Sequence, residues 1–235
     1  MCGIVLLSGP KAAARLPKCI DRLRHRGPDD QAIWMAGDAA LGFSRLSING
    51  DSSVGRQPHH YGEFVGAING EIYNHGALRS AHGLEASECD TQVVLPLFAR
   101  NGACIVEDLD GFYAAVILRP PAREVICLRD HIGKKPLFVG RSSSEIFITS
   151  ELKALGECEW FELLPRGASK VNLETGEVEQ LASHRPVEVA HNLEQILESA
   201  VRKRMPIANQ PVGVFLSGGL DSSLVATFVS RIRDD

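Results

Sequence analysis

The chain begins Met1-Cys2-Gly3-Ile4-Val5-Leu6-Leu7, and this stretch decides how the rest of the sequence is interpreted. The apolar run from Ile4 to Leu7 predicts a buried strand, which would hold the residues before it rigidly. Cys2 is small enough for processing enzymes to remove Met1 in front of it. The first strand of the fold would then present a cysteine at the amino terminus.

Removal of Met1 would give Cys2 both a thiol and a free α-amine. Their ordinary pKa values are about 8.5 and about 8, so near neutral pH the amine can accept the thiol's proton, directly or through a water. Nucleophile and base would then belong to one residue, a variant of the activated nucleophile. The dipeptide alone favours an ordinary buried thiol, and the motifs that follow reverse that interpretation.

Composition bounds the class of protein. The 235 residues can bury one large core or two smaller ones, and the net charge of −4 offers no basic surface for nucleic acid. No apolar stretch could span a membrane and no signal peptide is present, so we expect a cytoplasmic protein without membrane partners. The six cysteines are scattered without CxxC spacing, which argues against a disulfide framework and against a metal site.

A basic segment follows the first strand. Apolar residues at helical spacing predict a helix over Lys11 to Arg26, ended by Gly27-Pro28 within Arg24-His25-Arg26-Gly27-Pro28-Asp29. Its basic end fits either a solvated helix terminus or part of a site. The sequence of this segment alone leaves both interpretations open.

Arg45 lies among apolar neighbours in a second predicted strand, Leu41 to Asn49. It either extends to the surface or grips a planar carboxylate with two hydrogen bonds. Further on, Phe64 to Ile68 predicts a strand that leads into Asn69-Gly70. This dipeptide is ordinarily a tight turn, but it could also supply the amide and backbone donors of an oxyanion hole.

Asp90 precedes an apolar helical pattern that runs through Phe98. It is equally suited to capping that helix and to binding an ammonium group, and one carboxylate could do both. In the middle of the chain, residues 110–118 and 124–129 predict paired strands. Asp130 and Glu151 could form an acid–base pair, but a solvated or salt-bridged role is favoured.

Five motifs together resemble the asparagine synthetase (glutamine-hydrolysing) family of class II glutamine amidotransferases. They occur in the family's order and are Cys2-Gly3-Ile4, Arg24-His25-Arg26-Gly27-Pro28-Asp29, Arg45-Leu46-Ser47-Ile48, Asn69-Gly70-Glu71-Ile72-Tyr73-Asn74 and Cys89-Asp90-Thr91. The resemblance implies an α+β fold, the N-terminal-nucleophile αββα sandwich. It implies that Cys2 is the nucleophile and that Asn69 and Gly70 form the oxyanion hole.

The same resemblance implies a set of L-glutamine-binding residues. Arg45 would hold the α-carboxylate and Asp90 the α-amino group, with Glu71 nearby. The remaining residues implied to line this pocket are Leu46, Ser47, Ile48, Asn49, Asn69 and Gly70. The chain departs from the family pattern at Phe43, where histidine is common, and at Gln92, where glutamate is common. Gln92 removes a charge near the ammonium site and could loosen its grip.

The last motif is Ser217-Gly218-Gly219-Leu220-Asp221-Ser222-Ser223, between an apolar run (Pro211 to Leu216) and a helical pattern. The apolar run predicts a strand buried on both faces. The turn is either a simple strand-to-helix connection or an anion cradle of backbone N–H groups. It resembles the pyrophosphate loop of ATP pyrophosphatases, which implies an ATP site at Leu216, Ser217, Gly218, Gly219, Asp221 and Ser222.

The resemblance divides the chain into a glutaminase domain, residues 2–185, and the start of an incomplete α/β nucleotide-binding synthetase domain, residues 186–235. The complete enzyme would convert aspartate, glutamine and ATP to asparagine, glutamate, AMP and pyrophosphate. ATP and Mg²⁺ are expected only there, and glutamine hydrolysis needs no cofactor. We expect no asparagine synthesis from this chain alone, because its ATP site is incomplete.

Three alternatives remain open from the sequence. The chain could be a truncated homologue that binds without turnover, or an amidotransferase that serves another carboxylate acceptor. It could also be a glutaminase subunit that docks onto a separate synthetase, with apolar faces after Pro206 as the interface. A homodimer is compatible with each of these.

Overall fold

The computed structural model describes residues 1–48, 54–85, 87, 89–120, 123–185, 192–205 and 211–233. The chain divides into two units, Met1–Arg185 and Pro186–Asp235, which are described separately.

Strands dominate the first unit. The described residues form twelve β-strands, which are β1 Gly3–Ser8, β2 Asp30–Ala36, β3 Ala39–Arg45, β4 His59–Tyr61, β5 Phe64–Ile72, β6 Gly111–Leu118, β7 Glu124–Arg129, β8 Phe138–Ser142, β9 Glu145–Thr149, β10 Trp160–Leu163, β11 Gly167–Asn172 and β12 Val178–Ala182. They also form five α-helices, which are α1 Ala12–Asp21, α2 His75–His82, α3 Val94–Asn101, α4 Leu193–Arg202 and α5 Leu220–Ile232. Three short 3₁₀ helices lie at Asp90–Val93, Gly102–Glu107 and Leu152–Ala154.

The strands form two six-stranded antiparallel sheets. The first has the order β10-β8-β9-β1-β3-β2 and the second has the order β12-β11-β7-β6-β5-β4. The paired strands predicted at residues 110–118 and 124–129 are β6 and β7, with Ala115 opposite Leu128. All pairs in both sheets are antiparallel, so short connections suffice between neighbouring strands.

Three apolar clusters stack the layers in the order helix, sheet, sheet, helix. One cluster lies between α1 and the first sheet, one between the two sheets, and one between the second sheet and α2 and α3. Each sheet is therefore covered on both faces. The predicted αββα sandwich is confirmed.

Both faces of strand β1 are buried, which explains why its sequence is apolar without alternation. Ile4 and Leu6 pack into the cluster between the sheets, whereas Val5 and Leu7 pack against α1. All four side chains are fully buried. β1 lies between β3 and β9, so its first residues are fixed from both sides. The prediction of a buried strand that holds the amino terminus is confirmed.

Three element boundaries differ from prediction. The strand predicted from Leu41 begins at Ala39 and ends at Arg45. The first helix, predicted to reach Arg26, ends at Asp21 and is followed by turns. β5 does not stop at Ile68 but continues to Ile72, so Asn69-Gly70 lies in a strand opposite Ala114 and Tyr113, not in a tight turn. A Cβ at Gly70 would lie 2.0 Å from the Phe112 backbone oxygen, and glycine permits this close approach of β5 and β6.

The second unit contains α4 and α5. The side-chain oxygen of Asn192 caps α4 by accepting hydrogen bonds from the backbone N–H groups of Glu194 and Gln195. The strand predicted at 211–216 is wrong for this chain: these residues form no ladder, and Phe215 is 99% exposed. A strand requires a paired neighbour, and the described residues of this unit contain none. Nor does any helix in the described ranges have the length and apolarity needed to cross a membrane.

Candidate active site

A cavity of about 290 Å³ lies where residues of both sheets meet beside the amino terminus. Of the ten residues predicted for the nucleophile and its glutamine pocket, eight line it: Cys2, Arg45, Leu46, Ile48, Asn69, Gly70, Glu71 and Asp90. Ser47 does not line the cavity, and Asn49 lies outside the described residues. The structure thus brings together residues that are up to 88 positions apart in the sequence.

The thiol of Cys2 is oriented by the backbone of Leu46. The Leu46 N–H donates to Sγ at 3.4 Å, and the thiol lies 3.6 Å from the Leu46 oxygen. Burial raises the pKa of the Cys2 thiol, while the Leu46 N–H, the terminal amine, Arg45 and Lys135 act to lower it. Burial also lowers the pKa of the terminal amine, here on Met1, so that a larger fraction of this amine is neutral near pH 7 and has a free lone pair.

Arg26 fixes the backbone of Cys2. Its side chain is 8% exposed, its Nε donates to the Cys2 oxygen at 3.0 Å, and its Nη1 pairs with Glu151 at 3.0 Å. Burial alone would raise the pKa of Glu151, but hydrogen bonds from Lys153, Arg26 and His25 lower it to about 2. The basic motif left open by the sequence therefore anchors the nucleophile, and Glu151 is salt-bridged as favoured.

Gly27 and Asp29 place the end of β3 against the same motif. The Asp29 N–H donates to the Arg45 oxygen at 3.1 Å, and the Asp29 carboxylate accepts from the Ser47 N–H at 2.7 Å. A Cβ at Gly27 would lie 2.3 Å from the carbonyl carbon of Ser44. Only glycine lets this turn pass the strand that carries Arg45.

We therefore expect Gly27→Ala to lower the free energy of unfolding by about 2–3 kcal/mol, because the clash is with backbone that cannot rotate away. Urea denaturation measures this loss. Gly76→Ala is the matched control, since a Cβ at Gly76 meets nothing within 4 Å and alanine favours the helix α2 in which it lies. Equal midpoints for the two variants would contradict the role assigned to Gly27.

Arg45 lies at the end of β3 with its side chain 5% exposed. A Cβ at Gly55 would lie 1.9 Å from its Nη2, so the chain at Gly55 is shaped around the guanidinium. The side chain therefore does not extend to the surface, and binding of a carboxylate by Arg45 stays a prediction.

Asn69 presents a buried amide group to the cavity. Its side chain is 1% exposed, and Nδ2 has no hydrogen-bond partner among the described residues. Gln57 holds the strand just before it: Gln57 Nε2 donates to the Ile68 oxygen at 3.0 Å, and Ile68 N–H donates to Gln57 Oε1 at 2.6 Å. An unpaired buried donor costs about 1–3 kcal/mol, and such costs concentrate at functional sites.

Asp90 lines the cavity and is hydrogen-bonded to the end of β5. The carboxylate accepts a hydrogen bond from the Ile72 N–H at 2.7 Å, and burial raises its pKa. It does not cap α3, whose capping position is Val93, nor its own short helix, whose capping position is Cys89. Gln92, the departure from the family pattern, donates to the Val54 oxygen at 2.9 Å and accepts from the Ser87 hydroxyl at 2.5 Å, so it ties two loops together.

The segment after β7 contributes two lysines to the cavity that the sequence interpretation missed. Lys134 and Lys135 both line it, and both ammonium groups lie over the Phe112 ring. Asp130 is fully buried and accepts hydrogen bonds from the backbone of Tyr113, Ile132, Lys134 and Lys135. The prediction of a solvated or salt-bridged role for Asp130 is therefore wrong, because its carboxylate accepts hydrogen bonds from the backbone of this turn and of Tyr113 instead. The sequence signal that could have identified this turn is Asp130 followed three residues later by Gly133, whose φ is 70°.

The residues predicted to bind ATP lie at the amino terminus of α5 and its preceding loop, in the second unit. Ser217 and Ser222 hydroxyls are 3.0 Å apart, and Gly218 has a left-handed φ of 83°. The loop is exposed, and the helix that follows is 13 residues long. Exposed backbone N–H groups at a helix amino terminus fit a phosphate group. Across the described ranges, no group of three or more His, Cys, Asp or Glu residues could hold a metal ion.

Two families of sequences match this chain. One, described as a glutamine amidotransferase domain, matches residues 1–199, and the other, described as asparagine synthase, matches residues 192–235. Among curated relatives, a probable glutamine-hydrolysing asparagine synthetase of Dictyostelium discoideum is 35% identical, covering 98% of this chain and 46% of the relative. A rice asparagine synthetase is 37% identical, with 98% of this chain and 42% of the relative covered. The chain thus spans less than half the length of these relatives.

A solved structure has the same fold. Glutamine phosphoribosylpyrophosphate amidotransferase from Bacillus subtilis, in complex with ADP and GMP, matches with a TM-score of 0.65 at 20% identity. The match covers 76% of this chain and 49% of that chain.

Proposed function

Because the chain belongs to the family of glutamine amidotransferase domains, we propose that it hydrolyses glutamine to glutamate and ammonia with Cys2 as the nucleophile. One observation carries this proposal: the Cys2 thiol, the unpartnered amide of Asn69 and the buried guanidinium of Arg45 line a single cavity. Nucleophile, oxyanion donor and carboxylate ligand are the three groups that amide hydrolysis of an amino acid requires.

Binding of glutamine would use both ends of the cavity. Arg45 pairs with the α-carboxylate, and Asp90, with Glu71 nearby, accepts hydrogen bonds from the α-ammonium group. The side-chain amide then points to Cys2, and Leu46 and Ile48 line the space between. Opposite charges at fixed positions orient the substrate before the reaction begins.

Hydrolysis proceeds by two covalent steps. After removal of Met1, the α-amine of Cys2 takes the thiol's proton, and sulfur attacks the amide carbon. Asn69 Nδ2 and the Gly70 N–H stabilise the oxyanion of the tetrahedral intermediate. The C–N bond breaks as the leaving nitrogen takes the proton from the amine, which releases ammonia. Water then cleaves the thioester, which releases glutamate and restores the thiol.

We also propose that residues 186–235 begin a synthetase domain that uses ATP and Mg²⁺ in the complete protein. Leu216, Ser217, Gly218, Gly219, Asp221 and Ser222 would surround the ATP phosphates, and bound ATP would supply the activation of a carboxylate. The asparagine synthase match over residues 192–235 supports this, as do the curated relatives named above. Aspartate is the proposed acceptor of the ammonia.

The glutaminase proposal is tested by incubating protein that has lost Met1 with glutamine and measuring glutamate and ammonia separately. Equal amounts of both products are expected, without ATP. Correctly processed protein that releases neither product would refute the proposal.

Arg45→Ala is expected to raise the KM for glutamine by about 10- to 100-fold with a smaller effect on kcat. The reason is that a charge-assisted hydrogen-bonded pair contributes about 1.5–3 kcal/mol to binding. Steady-state glutamate release measures both constants. Arg119→Ala is the control, because Arg119 pairs with Glu63 on the surface and does not line the cavity. A KM unchanged in Arg45→Ala would assign the α-carboxylate to another group.

A further inference from the structure

Lys135 is a buried cation in the cavity of Cys2. Its side chain is 4% exposed, and Nζ lies 4.5 Å from the centre of the Phe112 ring. In the described parts of the chain its ammonium group forms no ion pair and no hydrogen bond. Lysine is almost never this deeply buried without an anionic partner. The ring face supplies part of the compensation, but not a counter-charge.

The position of Lys135 is fixed by its backbone. Its N–H donates to the buried Asp130 carboxylate at 3.2 Å, and its oxygen accepts from Arg129 Nε at 3.1 Å. The segment from Arg129 to Phe138 thus places a cation in the cavity.

The charges around the cavity show what that cation could pair with. The ionisable groups that line the cavity are the terminal amine, Cys2, Arg45, Glu71, Cys89, Asp90, Lys134 and Lys135. The Cys89 thiol is already paired with the Thr91 hydroxyl at 3.3 Å. Under the proposed function, Arg45 is matched by the glutamine carboxylate, and Asp90, with Glu71 nearby, by the glutamine ammonium. Lys134 is exposed to solvent, whereas Lys135 is not. The buried anion that would balance Lys135 is then the thiolate of Cys2.

We propose that Lys135 is the electrostatic positioning residue of the nucleophile, whose ammonium group stabilises the Cys2 thiolate once the amine has taken its proton, and then the negative charge of the tetrahedral intermediate. This inference rests on the proposed function of Cys2. The proton that leaves the thiol goes to the terminal amine, and Lys135 keeps its own proton throughout. Nothing is oxidised or reduced.

Burial dominates the pKa shifts of both groups and favours their neutral forms, whereas the interaction between Cys2 and Lys135 acts in the opposite direction. Burial raises the pKa of Cys2, and Lys135 is among the cations that lower it again. Burial, Lys134 and Arg26 lower the pKa of Lys135, whereas Cys2 and Glu71 raise it. The thiolate and the ammonium group therefore stabilise each other's charged form.

The test measures how fast iodoacetamide alkylates Cys2 between pH 5 and 10, by mass spectrometry of the amino-terminal peptide from protein that has lost Met1. For Lys135→Met we expect the alkylation midpoint to rise by about one pH unit and the rate at pH 7 to fall about 10-fold, since only the thiolate reacts. At the same pH, kcat for glutamine should fall about 10-fold while KM changes less than about 3-fold. Lys135→Arg, which keeps the charge, should recover the wild-type midpoint to within about 0.3 pH unit.

Lys18→Met is the matched control, because Lys18 is exposed on α1, away from the cavity, and its loss changes the net charge equally. The exposed Cys104 is an internal reference whose alkylation should be the same in every variant. Should Lys135→Met fail to fold, Lys135→Gln carries the same expectation with a neutral side chain that remains polar.

An unchanged midpoint and kcat in the neutral variants would overturn the role of Lys135. A second outcome would also overturn it: Lys135→Arg loses as much activity as the neutral variants although the alkylation midpoint of Cys2 in Lys135→Arg equals the wild-type value. The loss of activity would then not come from the charge. These outcomes leave wild-type glutaminase activity intact, so they differ from failure of the proposed function, in which the wild type itself releases no glutamate.

Discussion

Cys2→Ala is expected to abolish glutamate release, with a fall in kcat of more than about 10⁴-fold. The other thiol that lines the cavity, Cys89, is buried and paired with the Thr91 hydroxyl, and it has no α-amine of its own to act as base. Removal of a nucleophile that works with its own base costs on the order of 10⁶ in turnover. The fold should persist, because Cys2 is only partly buried at the edge of the cluster between the sheets. Glutamate release and thermal unfolding of the same preparation measure the two effects.

Cys104→Ala is the control for this substitution. Cys104 is exposed and does not line the cavity, so its loss should leave activity within a factor of about two. Turnover in Cys2→Ala above about one-hundredth of the wild-type value would show that hydrolysis uses another nucleophile, such as a water activated directly by the terminal amine.

Asn69→Ala is expected to lower kcat by about 10²–10³-fold while the KM for glutamine changes little. Loss of one oxyanion donor weakens binding of the tetrahedral intermediate but not of the ground-state amide. Stability should fall little, because the Nδ2 atom removed is buried without a partner in the described structure and its burial already costs free energy. The kinetic constants and the unfolding midpoint separate these two predictions.

Asn101→Ala serves as the matched control, since Asn101 is exposed at the end of α3 and its side chain caps no helix. If Asn69→Ala raised KM alone, Asn69 would contribute to uniform substrate binding. If Asn69→Ala lowered the unfolding midpoint and left kcat unchanged, the buried amide of Asn69 would have a structural role.

The layers of the fold could be predicted from the sequence because local pattern and tertiary environment agree there. Ile4 to Leu7 form an unbroken apolar run, and the structure covers both faces of that strand. The predicted strand at 211–216 has the same pattern but no neighbour to pair with among the described residues. Hydrophobicity predicts that a segment is to be buried, whereas strand formation also needs a partner.

The candidate site was predictable at residues whose chemistry is unusual for their position, such as Arg45 in an apolar strand. Gln57 and Lys135 were missed, and the role of Arg26 was left open, for a physical reason. They act through long-range contacts, namely the Ile68 backbone, the Phe112 ring and the Cys2 oxygen. Sequence spacing carries no information about such contacts. Asn69-Gly70 shows the converse. The sequence identified these residues as site candidates, but the tight turn that they ordinarily form is absent, because pairing of β5 with β6 overrides the local preference.

The central claim is that Cys2 is a processed amino-terminal nucleophile in a formed glutamine pocket. Intact mass after incubation with an electrophilic glutamine analogue tests it most directly. We predict loss of Met1 and addition of one analogue molecule, located on Cys2 by peptide mapping and prevented by excess glutamine. Protein that has lost Met1 but remains unlabelled, or that is labelled equally in Cys2→Ala, would contradict the claim.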